Sequence, residues 1–457
     1  MNTLIILSAL GIITLFAEIF RFRKGLFPLI LIGLSVAFYF AAKDYNHPQV
    51  FFKMMNFDNY AVVFSCIILI IAFLWFMMAK NYFIQETSVT DHFALILFSL
   101  VGAVVMVSFS NLTMLFLGIE ILSISVYVLA ASDKANVMSN EAGFKYFLMG
   151  SFATGFLLFG ITLIYGVTGS FDLITIHNQI ALNNQSGLML ALAGILLLLV
   201  GLSFKCSLAP FHFWAPDVYE GAPTTITTYM ATVVKTAAFA AFFRLFSNCF
   251  VPLFAQWTDV LWWMVVLTLF VGNITAVRQK SLKRMLAYSS VAHAGYIAIA
   301  IVSMGAASAS AILFYTFTYS ISSISAFTIL FIVSRHKGSK DISAFEGMVK
   351  VNPLLSFAMT VAMLSLAGIP PTAGFFGKYY IFLTAINRHN TSLVLVAVIA
   401  ALVGVYYYFR VIIAMYFKRE QQMVPIKVGP LHRTVLIITT ILTILFGLFP
   451  NLILQWM

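Results

Sequence analysis

The chain has 457 residues, of which 62% are hydrophobic, 16% aromatic and only 9% charged, with a formal net charge of +11. Soluble domains carry about 25% charged residues, so a soluble globular protein is excluded. No GxGxxG or Walker A run is present, which excludes nucleotide chemistry from this chain. Cys66, Cys206 and Cys249 form no CxxC pair, arguing against an iron–sulfur site or a disulfide scaffold. No His/His spacing suggests a metal.

Apolar runs of about 20 residues, the length a helix needs to cross a hydrocarbon core, recur along the whole chain. The expected fold class is an all-α polytopic membrane protein. Fourteen segments are expected, at 2–20, 25–42, 60–79, 92–109, 112–132, 143–168, 187–216, 224–249, 260–277, 282–303, 305–334, 354–386, 392–416 and 434–456. The first run has no basic residues before it and no small-residue cleavage site, so a cleaved signal peptide is not expected. Basic residues such as Arg21, Arg23, Lys24 and Arg278, Lys280, Lys283, Arg284 cluster in loops after odd-numbered segments. Only Lys43, Lys53 and Arg388 follow even-numbered ones. By the positive-inside rule both termini then lie outside, on the periplasmic side of a bacterial inner membrane. The positive charge is topology signal and a contact for anionic lipid. Spread over many short loops, it does not suggest nucleic acid.

Two segments are too long for plain spans. The run 354–386 would extend roughly 50 Å as a straight helix, and its middle reads "SLAGIPPTAGFFGKYY", with Pro370 and Pro371 removing amide donors. The run 187–216 contains "GLSFKCSLAPFHFWAPD", broken at Pro210. Interrupted helices must turn their free carbonyls to protein or water. These are segments seven and twelve, an odd number apart, so a repeat pairing them is inverted in the membrane, as at many transport sites. The expected organisation is one membrane domain, 1–457. It comprises three N-terminal helices (1–80), two inverted five-helix repeats (92–249 and 260–416) and a C-terminal helix (434–456).

Ionisable side chains at mid-membrane cost roughly 2.5–3.5 kcal/mol each on insertion scales. Glu120, Lys205, Lys235 and Lys378 all sit inside apolar segments, Lys205 and Lys378 beside the two breaks. Glu120 and Lys205 are expected to form an ion pair. Buried lysines biased by one acid can take up and release protons in turn, so the four are candidates for a proton relay, which His212 and His293 could extend. A bland reading, in which Glu120 and Lys205 merely staple two helices, is disfavoured by its cost. Arg244 and Arg410 lie near segment ends and are expected to snorkel to head groups.

The runs "APFHFWAPDVYEGAPTTITTYMATVVKTAAF", "QKSLKRMLAYSSVAHAGY" and "SLAGIPPTAGFFGKYYIF" resemble the subunit N family of bacterial NADH:quinone oxidoreductase (respiratory complex I, NDH-1), a group of antiporter-like membrane subunits. The resemblance spans essentially the whole chain. It implies a glutamate on the fifth helix (Glu120), lysines on the broken seventh (Lys205), the eighth (Lys235) and the broken twelfth (Lys378), and proton pumping driven by quinone reduction elsewhere in the complex. It further implies that NAD, FMN, iron–sulfur clusters and quinone are bound by partner subunits, none in this chain. The partners implied are other membrane subunits, including antiporter-like neighbours. The chief rival is a subunit of a multisubunit cation/proton antiporter, which the "WAPDVYEGAPT" run disfavours. A self-contained quinone reductase and a passive scaffold fit less well.

Overall fold

The computed structural model describes residues 1–20, 22–83, 89–182, 185–418 and 425–456; Arg21, one of the basic residues counted above, lies outside them. Setting single-turn helices aside, the chain forms α1 (Asn2–Phe16), α2 (Arg23–Lys43), α3 (Asn59–Phe83), α4 (Val89–Ser108), α5 (Leu112–Ala130) and α6 (Val137–Thr168). A short α7 (Leu173–Leu182) follows, then α8 (Gln185–Cys206), α9 (Trp214–Gly221) and α10 (Thr224–Cys249). The second half comprises α11 (Phe254–Val277), α12 (Leu282–Val302), α13 (Ser308–Lys337), α14 (Pro353–Ala367), α15 (Ala373–Asn387), α16 (Thr391–Phe417) and α17 (Pro430–Leu448). A two-stranded antiparallel hairpin, β1 (Gln49–Phe51) and β2 (Met55–Phe57), joins α2 to α3. Every expected segment contains helix, and among the described residues twelve helices are long and apolar enough to cross a membrane.

Both predicted interruptions are present. Segment seven is α8 followed by α9, and segment twelve is α14 followed by α15. Proline explains each gap, since it cannot donate to the helical ladder and restricts the residue before it. A third irregularity was not anticipated: α10 contains a π-helical turn, Met230–Val234, ending directly before Lys235. π-turns disturb helical register and frequently mark functional positions.

The centre of the bundle is α10, α12 and α13, which are buried along nearly their whole length. α2, α6, α16 and α17 form the periphery. α13 is polar as well as buried. Its stretch Tyr315–Ser325 reads "YTFTYSISSIS", and Thr316, Thr318, Ser320 and Ser322 each return a hydrogen bond to the carbonyl one turn back. Neutral hydroxyls satisfied in this way can line a membrane interior at little cost.

The two halves share local devices. An isolated β-bridge pairs Asn111 with Asp172, and another pairs Ser281 with Asp341. Asn111 and Ser281 are also the N-caps of α5 and α12. Gly102 on α4 touches α5 so closely that a Cβ would lie 2.6 Å from Leu122 N, and Gly272 on α11 stands in the same relation to Ala292 N on α12. One sequence interval separates Gly102 from Gly272, Asn111 from Ser281 and Leu122 from Ala292.

Several expectations need correction. Arg244 is buried, and Arg410 is half-buried against protein carbonyls, so neither acts as the expected head-group anchor. Each has main-chain acceptors within reach, which an apolar interior makes preferable to stretching toward water. His432, close to the start of the last expected segment, is buried, with Nε2 2.9 Å from Met78 O. Lys283, counted as loop charge, is wholly buried.

Candidate functional site

Each mid-membrane lysine is held by neutral oxygens. Among the described residues, none of the three has a carboxylate at ion-pair distance. Lys205 occupies the last turn of α8, where the helix dipole favours a cation. Its Nζ donates to Ser123 Oγ at 2.6 Å and to Tyr127 Oη at 2.8 Å, both on α5. Glu120, half-buried on the same helix, instead accepts from Thr154 Oγ1 on α6 at 2.8 Å. The expected Glu120–Lys205 pair is therefore not formed. Ser123 and Tyr127 lie about 4.5 and 10 Å beyond Glu120 along the helix axis, and Lys205 enters at their level.

Lys235 begins the turn after the π-bulge. Its Nζ donates to Ser290 O on α12 at 2.6 Å and also to Ser290 Oγ, and it faces the Tyr319 ring at 6.0 Å. The interval relating the two halves carries Glu120 onto Ser290. The first half thus has a carboxylate where the second has a neutral acceptor.

Lys378, on α15, reaches back across the second break to the open end of α14. Its Nζ donates to Ala367 O at 2.7 Å and Leu366 O at 3.3 Å, and it faces the Tyr296 ring at 4.9 Å. Gly368 permits this. Its φ of +83° ends α14 in the left-handed region, and a Cβ there would lie 2.8 Å from Lys378 Cδ. Both break-side lysines thus lie at the carbonyl end of a half-helix.

His293 lies between the rings that the two latter lysines face, 4.7 Å from that of Tyr319 on the Lys235 side and 6.1 Å from that of Tyr296 on the Lys378 side. Its Nδ1 is 2.7 Å from Tyr315 Oη and its Nε2 3.0 Å from Tyr408 Oη, which also contacts Ser289 Oγ. Beyond Tyr296, Asn273 Nδ2 reaches Tyr296 Oη at 3.5 Å, and Tyr407 Oη donates to Asn273 Oδ1 at 3.1 Å. A small enclosed cavity lined by His293, Tyr315, Tyr319, Ser365 and Gly374 adjoins the row. His212 stands apart: its ring lies against Phe213, and its buried Nδ1 has no hydrogen-bond partner among the described residues.

The lysines and His293 were legible in the sequence, but their acceptors Ser123, Tyr127, Ser290, Tyr315, Tyr408 and Asn273 were not. The hydroxyl-rich run on α13 was the available signal. A second polar cluster lies at the ends of α9 and α12. Lys283 Nζ donates to Glu220 O at 3.1 Å and to Ala222 O, and Arg284 and Lys145 both pair with Asp217. Lys283→Ala leaves two carbonyls unpaired at about 1–3 kcal/mol each; the expected result is a clear drop in the amount of assembled protein on a native gel.

A polytopic bundle with two interrupted helices and an ionisable row between them defines a membrane transporter-type protein. The family described as NADH:quinone oxidoreductase/Mrp antiporter, TM, matches residues 109–404. NADH-quinone oxidoreductase subunit N of Cytophaga hutchinsonii is 43% identical over 457 residues, covering 100% of this chain and 99% of the relative. That of Flavobacterium psychrophilum is 43% identical and covers 100% of both. A chain of respiratory complex I from Thermus thermophilus with bound Aureothin superposes with a TM-score of 0.86 at 34% identity, covering 99% of this chain and 98% of that one. The chain belongs to the NADH-quinone oxidoreductase subunit N family. A chain of the Mrp complex from Dietzia sp., 18% identical with a TM-score of 0.89 and covering 99% of this chain and 95% of that one, shares the fold.

Proposed function

We propose that this chain is a proton-translocating membrane subunit of an NADH:quinone oxidoreductase, moving protons through a relay of Lys205, Lys235, His293 and Lys378 biased by Glu120. One observation carries the reading. Three buried lysines have hydroxyls and carbonyls as their hydrogen-bond acceptors among the described residues, which accept from an ammonium and leave the amine free to lose its proton. A fixed salt bridge would hold the proton; neutral acceptors do not. His293, with a tyrosine hydroxyl at each ring nitrogen, bridges Lys235 and Lys378 by exchanging one proton for another.

The two halves work as inverted repeats, a reading supported by the matched bridges, caps and close glycines. Electron transfer from NADH to quinone, with its FMN and iron–sulfur centres, belongs to partner subunits. The chain spans a bacterial inner membrane with both termini outside, as the loop charges suggest, and anionic lipid meets its basic loops.

Glu120→Gln tests the bias. The variant keeps an acceptor for Thr154 and removes the charge that favours protonated Lys205. The expected result is a complex that assembles and oxidises NADH but pumps several-fold more weakly. Pumping at the wild-type rate in normally assembled complex would refute a switching role for Glu120.

A further inference from the structure

Two arginines are used by neither the relay nor the lipid contact expected of them, and they make the same connection twice. Arg244 Nε donates to Phe109 O at 2.8 Å, just past the end of α4. One terminal nitrogen binds Asp58 Oδ1 at 2.9 Å and the other Asn56 O at 3.3 Å. Arg410 donates through one terminal nitrogen to Val277 O, the last residue of α11, at 2.8 Å, and through the other to Gln279 O.

Phe109 lies two residues before Asn111, and Gln279 two before Ser281. The two carbonyls are therefore related by the same interval that relates the caps, bridges and glycines of the two halves. The arginines themselves depart from that interval by about one helical turn. Each projects from the last helix of its five-helix unit and grips the junction between that unit's first and second helices. An odd number of crossings separates the two junctions, so they lie at opposite membrane faces.

The elements joined in this way carry the relay. Arg244 shares α10 with Lys235, and the junction it holds opens α5, which carries Glu120, Ser123 and Tyr127. Arg410 shares α16 with Tyr408, and its junction opens α12, which carries Ser289, Ser290 and His293. We propose that Arg244 and Arg410 are a matched pair of positioning residues. Each locks the last helix of a five-helix unit to the entry of the second, fixing the height of Lys235 against α5 and of Tyr408 against α12. The guanidinium fork suits this task because it reaches diverging acceptors at once, which a lysine ammonium on a flexible stem does not hold in one geometry. Errors of about 1 Å between reacting groups can cost a hundredfold in rate, so a small slip of either helix disturbs proton transfer before it disturbs folding.

This inference rests on the relay reading, and the experiment separates the two. Membranes carrying the whole complex with Arg244→Gln, Arg410→Gln, Arg244→Lys or Arg410→Lys are compared with wild type and Lys235→Ala. Rates of NADH-driven proton pumping are measured and normalised to assembled complex on native gels. The expected result is a fall of about tenfold in both Gln variants, with partial recovery in the Lys variants, which retain charge and assemble. Wild-type pumping per assembled complex in the arginine variants would overturn the inference, as would loss of assembly in all four. If Lys235→Ala also pumps normally, the relay reading itself is what fails.

Discussion

Lys235→Ala and Lys235→Arg are expected to abolish pumping to the same extent, by about a hundredfold, the upper range for loss of a positioned proton-transfer group being larger still. The alanine variant removes the titratable group. The arginine variant keeps a cation in contact with the Ser290 oxygens but does not release its proton at any accessible pH. A purely structural charge would be rescued by arginine, whereas a relay residue would not. Neither variant is expected to unfold the bundle: the alanine variant removes a buried charge together with its desolvation cost, and the arginine variant keeps a cation with donors for the Ser290 oxygens. Proton uptake by inverted membrane vesicles, followed with a pH-sensitive acridine dye, separates the two cases.

Gly374→Ala is expected to eliminate the assembled protein. A Cβ at this position would lie 1.8 Å from Ser365 O and 2.7 Å from the same carbonyl carbon, both backbone atoms of α14. Backbone cannot step aside as the end of a flexible side chain can, so α14 and α15 would be forced apart at the second break. Overpacking in a well-packed interior costs about 1–3 kcal/mol, and a backbone overlap this deep exceeds that range. The same movement would pull Lys378 from the carbonyls that hold it. Gly155→Ala on α6 supplies the control. Nothing lies within 4 Å of its Cβ position, and alanine is favoured over glycine in a helix by about 1 kcal/mol. Native-gel abundance should be near zero for the first variant and unchanged for the second.

The spans and breaks were legible because they rest on gross physical constraints. A hydrocarbon core demands long apolar runs, and Pro210, Pro370 and Pro371 cannot continue a helix. The lysines were legible because charge in an apolar run is costly enough to need a reason. Their partners were not, since a serine such as Ser290 differs little in sequence from the many serines that bond their own helix, as Ser320 does. The Glu120–Lys205 pairing failed for a geometric reason. Opposite charges on neighbouring helices meet only at the same height, and Lys205 arrives one to two turns past Glu120, where Ser123 and Tyr127 stand. Arg244 and Arg410 were misread because distance from a segment end says nothing about nearby carbonyls. The π-turn before Lys235 falls on Met230–Val234, an apolar run with no proline or glycine to announce it.

The most direct test of the account is the rate of proton pumping, measured beside the rate of NADH oxidation, by purified complex in liposomes, with wild type beside Lys205→Ala, Lys235→Ala and Lys378→Ala combined. The account predicts that pumping per assembled triple-variant complex falls far below wild type, either alone or together with the electron transfer coupled to it. A triple variant that pumps the wild-type number of protons at the wild-type rate would contradict it.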